Sequence, residues 1–195
     1  MHGTLLTKKR AGHWSNVFDR SQFRMWVACL SVGVMAGLCV THIHMNLGIP
    51  GHKAWFWIPA ILATRFVTGC RIGATAGAIS MLCTTWGLGG HLAGGLVGMP
   101  FIAVAAMLWD GLIKPLEKEP LRWTLILPSI VGLAVMGNVL AFGKRLLVPS
   151  GMHVAHIWGL TGPWFSFVSY VACGLISGVV TAALVYGILR KKHTP

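Results

Sequence analysis

The feature that most constrains this chain is the confinement of its charges to gaps between six apolar runs, at approximately 25–41, 54–69, 72–90, 93–113, 123–143 and 163–189. A run of about 20 apolar residues is the length a helix needs to cross the hydrocarbon core of a bilayer. The chain has 195 residues, so six such runs with short links leave no room for a second domain. Only 10% of residues are charged, well below the roughly 25% of an ordinary soluble domain. The expected fold is therefore all-α, an integral membrane bundle of about six transmembrane helices. Residues 25–190 form the transmembrane domain, 1–24 a basic N-terminal segment and 191–195 a tail.

The formal charge of +12 would suggest nucleic-acid binding in a soluble protein. Here the basic residues alternate in number from gap to gap, which is a topology signal. With both termini cytoplasmic, thirteen of the sixteen lysines and arginines fall inside, and only Lys53, Lys144 and Arg145 fall outside. This distribution obeys the positive-inside rule, favours an even number of spans, and points to a bacterial inner membrane rather than a nucleic-acid partner. Residues 1–24 contain Lys8, Lys9, Arg10, Arg20 and Arg24 with no apolar core for a signal peptide. Trp14, Phe18 and Phe23 suit a segment lying on the membrane surface.

Arg65 interrupts the second run and must either snorkel to the interface or face the bundle interior. Asp110 reads as interfacial, at the end of the fourth run. The five cysteines show no paired spacing and read as buried small hydrophobes. Glycines four apart, at Gly33 and Gly37, Gly73 and Gly77, Gly90, Gly94 and Gly98, and Gly174 and Gly178, suit close helix contact. They serve packing within the chain or a docking face for a partner. Pro59, Pro100 and Pro128 fall in apolar runs, where they kink or interrupt helices.

Chemistry gathers on the predicted outer side. His42, His44, His52, His91, His153 and His156 all fall there, together with Lys53, Lys144, Arg145 and several tryptophans. Histidines at an interface need no ligand. A metal site would use His44, His91, His153 and His156, with copper, zinc or nickel as the candidate ions, since neutral imidazole ligates all three. An organic-ligand pocket would use His44, His52, Lys53, Trp86, His91 and Arg145. Its ligand would be anionic, because the sequence places no carboxylate opposite these cations. No catalytic triad, paired carboxylate or phosphate-binding loop is visible, so an enzyme is not expected. Asn138, in mid-span, reads as a helix-packing hydrogen bonder.

Residues 68–78 read Thr-Gly-Cys-Arg-Ile-Gly-Ala-Thr-Ala-Gly-Ala, and 86–90 read Trp-Gly-Leu-Gly-Gly, followed by Ala-Gly-Gly-Leu at 93–96. With six spans and both termini inside, this resembles the substrate-binding S components of energy-coupling factor transporters. The resemblance implies a ligand site near the outer face, with His44, Asn46 and His52 in its roof and Trp86 and His91 at its side. It further implies a face at Ala74 and Ala78 that engages a transmembrane coupling protein, and separate ATPase partners. Nickel and cobalt members begin with an extracellular Met-His pair, whereas Met1 and His2 here precede a basic inner segment, which argues against those two ions. The competing reading is a non-catalytic accessory or anchoring subunit of a membrane metalloenzyme or respiratory complex.

Overall fold

The computed structural model describes residues 20–43, 49–89, 97–116, 123–147 and 162–193. These form six helices and no strand: α1 Arg20–His42, α2 Ala54–Thr68, α3 Gly73–Gly87, α4 Met99–Leu116, α5 Trp123–Leu147 and α6 Pro163–His193. The all-α bundle expected from the apolar runs is what the chain adopts. Several boundaries differ from the sequence reading, most of all two helix starts. Helix α1 starts at Arg20 rather than 25, drawing Arg20 and Arg24 into the helix, and α4 starts at Met99 rather than 93.

Three helices are long and apolar enough to cross a membrane: Ser21–His42, Thr124–Lys144 and Pro163–Ile188. Helices α2 and α3 have 15 residues each, about 22 Å at 1.5 Å per residue, short of the ~30 Å hydrocarbon core. Protein surrounds α2, which packs on α1, α3, α5 and α6. A short helix is tolerable there because its ends meet other chain segments instead of lipid. The outside of the bundle carries exposed Phe23, Val34, Met107, Leu112, Val168 and Val179, an apolar exterior that water would not accept at this extent. This is a membrane protein.

Successive helices alternate in direction. Gly33 and Gly37 of α1 lie against Gly77 and Met81 of α3, so these two run parallel, and α2 returns between them. Phe101 and Trp109 of α4 meet Gly143 and Gly137 of α5, and Gly174 and Gly178 of α6 meet Val135 and Val131 of α5, so both pairs are antiparallel. One end of the bundle therefore holds the start of α1, the end of α6, the start of α3 and the end of α4. The other holds the start of α2 and the end of α5.

The pairs Gly33 and Gly37, Gly73 and Gly77, and Gly174 and Gly178 resolve to packing inside the chain, while Gly90 and Gly94 lie outside the described residues. A Cβ at Gly37 would lie 2.9 Å from the Met81 carbonyl oxygen, and one at Gly174 would lie 2.8 Å from the Val135 Cα. Small residues are used because lipid supplies no hydrophobic drive to bring helices together, leaving close backbone contact and dispersion to do so. Ala74 and Ala78 follow the same logic: both are fully buried in the main core. Their methyls are already covered by this chain, which corrects their assignment to a partner-docking face. At the centre Trp57 stacks on Trp109 with ring centroids 5.5 Å apart, and Trp109 Nε1 donates to the Leu133 carbonyl at 2.7 Å.

Pro59 and Pro128 lie inside α2 and α5. Pro100 stands instead in the first turn of α4, where its missing N–H removes no helix bond. Cys29, Cys70 and Cys173 are buried as expected, but Cys83 is exposed on α3, where a thiol sits in an apolar exterior as a small hydrophobe.

These contacts make two glycines in one helix respond oppositely to the same change. At Gly178 an added Cβ would lie 2.7 Å from the Val131 Cα, whereas at Gly187 nothing lies within 4 Å. Gly178→Ala should destabilise by about 1–3 kcal/mol through overpacking. Gly187→Ala should stabilise by about 0.5–1 kcal/mol through helix propensity. Unfolding in mixed micelles measures both, and equal shifts would contradict the packing described.

Candidate functional site

The polar chemistry of the described residues sits at two places, one near each end of the bundle. The first is an ion pair within the protein. Arg65 in the last turn of α2 is fully buried, and its Nε donates to Asp110 Oδ1 of α4 at 3.0 Å. The same carboxylate accepts the Ala74 N–H at 3.1 Å on Oδ1, and the Thr75 N–H at 2.8 Å and hydroxyl at 2.7 Å on Oδ2. Ile72, the residue before α3, supplies no side-chain cap. Asp110 thus caps α3 from a different helix, satisfying donors that a helix start otherwise leaves open and placing its negative charge at the positive end of the helix dipole.

Asp110 is 7% exposed, so the interfacial reading of this residue is corrected. A lone carboxylate and a lone guanidinium are each costly away from water, and here they neutralise one another. The sequence signal was present: Arg65 and Asp110 are the only charged residues that interrupt apolar runs. Nothing in linear spacing shows that positions 45 apart meet.

The second place is the turn entering α2. Gly51 adopts a φ of +84°, and a Cβ there would lie 3.1 Å from the Tyr170 ring and 3.2 Å from Asn138 Nδ2. Glycine therefore lets the turn press against α5 and α6. Asn138 Nδ2 donates to the Tyr170 carbonyl at 2.7 Å, the helix-packing role expected for it. The buried Cys173 thiol points to the Pro50 carbonyl at 3.8 Å and stands beside the Trp55 indole. Trp55 Nε1 has no oxygen or nitrogen acceptor among the described residues.

This clamp presents His52 and Lys53. His52 Nδ1 donates to the Ile49 carbonyl at 2.6 Å. A carbonyl can only accept, so the proton is on Nδ1 and the neutral ring keeps its lone pair on Nε2. Lys53 is the residue immediately before α2. Its ammonium is half-buried, and burial pushes its pKa below the usual lysine value. It also stands at the positive end of the α2 dipole, where a cation is disfavoured. The first N–H groups of α2 pair with the carbonyls of Gly51, His52 and Lys53. An anion here would accordingly be bound by side chains, not by a bare helix start.

Trp86 lies near the end of α3 and is 66% exposed. Arg145 lies in the last turns of α5, at the same end of the bundle as Lys53. His44, Asn46, His91, His153 and His156 lie outside the described residues. Among the described residues no three His, Cys, Asp or Glu side chains group to hold a metal ion. No family model, curated protein or solved structure matches this chain.

The Arg65–Asp110 pair yields a direct test. Asp110→Asn leaves Arg65 buried without its counter-charge, a change that costs about 3–5 kcal/mol in proteins. The variant should unfold at markedly lower denaturant in mixed micelles. Stability within 0.5 kcal/mol of the parent, an order-of-magnitude allowance for a surface substitution, would show that the pair is not structural.

Proposed function

We propose that this chain is a membrane-embedded, ligand-binding subunit of a transporter, taking an anionic small molecule at the end of the bundle marked by His52 and Lys53. The observation that carries the reading is Lys53. Its ammonium is half-buried, sits at the wrong end of a helix dipole, and faces an end of the bundle to which the sequence contributes no Asp or Glu. Each of these features disfavours the empty state and is relieved by a bound anion. His52, with Nδ1 engaged, offers Nε2 as an acceptor when neutral or a donor when charged. From the sequence alone, Arg145, Trp86, Asn46 and the histidines at 44, 91, 153 and 156 remain the further candidate contacts of this reading. An anion is preferred to a metal because a lysine ammonium repels cations.

The membrane in this reading is a bacterial cytoplasmic membrane, with the Lys53 end outside and both termini in the cytoplasm. The excess of basic residues at the opposite end supports that orientation. The chain carries no nucleotide-binding motif, so energised transport would require ATPase subunits and a coupling protein.

Purification of the tagged chain at native expression tests the class. Stoichiometric ATPases and a second membrane subunit are expected. Redox or oxygenase polypeptides in their place would instead support the accessory-subunit reading.

Lys53→Gln tests the ligand. The variant should raise the unfolding midpoint of the empty protein, since a disfavoured cation is removed. It should also lose an anion that mass spectrometry of the denatured wild-type protein detects. Retention of the same molecule by the variant, or recovery of only a metal ion, would overturn the anion assignment.

A further inference from the structure

A pair of thiols lies beside the Arg65–Asp110 node, takes no part in it, and is independent of the ligand reading. Cys29 of α1 and Cys70, in the turn between α2 and α3, are both buried in a small cluster with Ala76, apart from the main core, against which Met25 and Trp26 pack. Gly73 permits the approach. A Cβ there would lie 3.1 Å from Cys29 Sγ and 3.2 Å from Cys70 Cβ, so both side chains press on the same bare backbone. Thr68, the last residue of α2, orients them. Its hydroxyl donates to the Thr64 carbonyl at 2.8 Å, which leaves its oxygen to accept the Cys70 N–H at 3.3 Å and the Cys29 thiol at 3.6 Å. The two cysteine side chains also hydrogen-bond to each other. With the Cys29 proton directed at Thr68, the Cys70 thiol is the donor in that contact, and a lone pair of Cys29 Sγ faces Cys70.

We propose that Cys29 and Cys70 form a covalent modification site, a dithiol that hydrogen peroxide closes to a disulfide tying α1 to the turn between α2 and α3. Among the described residues no third His, Cys, Asp or Glu completes a metal site with them. A disulfide is also neutral, which suits an apolar pocket where paired thiolates would be costly. Cys70 is 5% exposed and lies outside any helix, whereas Cys29 is fully enclosed, so Cys70 meets the oxidant first. Its sulfur gives up a proton and attacks one peroxide oxygen. The O–O bond breaks, and the departing hydroxide takes up that proton as water, leaving a sulfenic acid on Cys70. Cys29 Sγ then attacks the sulfenic sulfur, and its proton leaves with the displaced hydroxide as a second water. Two thiols are oxidised by two electrons in total, and one peroxide is reduced.

Hydrogen peroxide applied to the full chain in micelles, followed by unfolding, alkylation and peptide mapping by mass spectrometry, tests the proposal. A Cys29–Cys70 linked peptide that has lost two hydrogens is expected. The unfolding midpoint of the oxidised protein should rise, because the bond closes the chain from 29 to 70, and dithiothreitol should reverse the rise. Cys83, exposed on α3, reports that the oxidant has reached the protein, and Cys83→Ser should form the same link. Cys29→Ser should stop at a sulfenic acid on Cys70, which dimedone captures, and Cys70→Ser should leave Cys29 open to alkylation. Oxidation of Cys83 while Cys29 and Cys70 both remain alkylatable would overturn the proposal. So would a link from either residue to a different cysteine, or an over-oxidised Cys70 beside a free Cys29 in the wild-type chain.

Discussion

The carboxylate of Asp110 joins three helices that would otherwise have no polar reason to meet. It neutralises the only guanidinium buried among the described residues, on α2, and caps α3 through two backbone N–H groups and a hydroxyl. The geometry also explains why two helices too short to cross a bilayer unaided can exist in its interior. In water, α3 could begin with solvent on its first N–H groups. In lipid every such group needs a protein partner, and α4 supplies it. The pair is thus a condition for the bundle's short central elements more than a source of net stability, since a buried ion pair loses much of its attraction to desolvation.

Around that node, the packing follows from the poverty of driving forces in lipid. Hydroxyls in the helices bond back to their own backbones, as Thr64 does to the Ala60 carbonyl at 2.6 Å and Ser177 to the Cys173 carbonyl at 2.7 Å. Such groups are internally satisfied and invisible to neighbours. Attraction between helices therefore falls to close contact at Gly33, Gly37, Gly174 and Gly178, to the Trp57–Trp109 stack, and to a few cross-helix bonds such as Ser80 Oγ to the Leu30 carbonyl, Trp109 Nε1 to the Leu133 carbonyl and Asn138 Nδ2 to the Tyr170 carbonyl.

Much of this was legible in the sequence because membrane constraints are local. Six apolar runs gave six helices, and glycine spacing gave the contact faces, although not whether they served this chain or a partner. What stayed hidden was pairing across the fold. Arg65 was recognisable as an anomaly, yet an anomaly does not name its partner, and Asp110 six residues from the end of α4 looked adequately placed at an interface. Ala74 and Ala78 failed as docking residues for the same reason: a small-residue stripe has one appearance whichever helix covers it. At the other end of α2, Lys53 was identified from charge alone. Its significance depends on the register of α2, which places it just before the first helical residue, and on Gly51, whose positive φ folds the turn onto Tyr170.

The two ends of α2 treat charge in opposite ways, and that asymmetry is the strongest argument for dividing structure from function. Arg65 near one end has four-fold use made of its counter-ion, with guanidinium, two amides and a hydroxyl all directed at a single carboxylate. Lys53 at the other end has burial, an adverse helix dipole and no acid in the adjoining sequence. Removing a lysine from such a position would ease folding, and that cost is the ground of the proposed ligand reading. Under that reading an anion offsets the cost. The helix is fixed at one end by a neutralised pair and carries at the other a cation that burial and the helix dipole both disfavour.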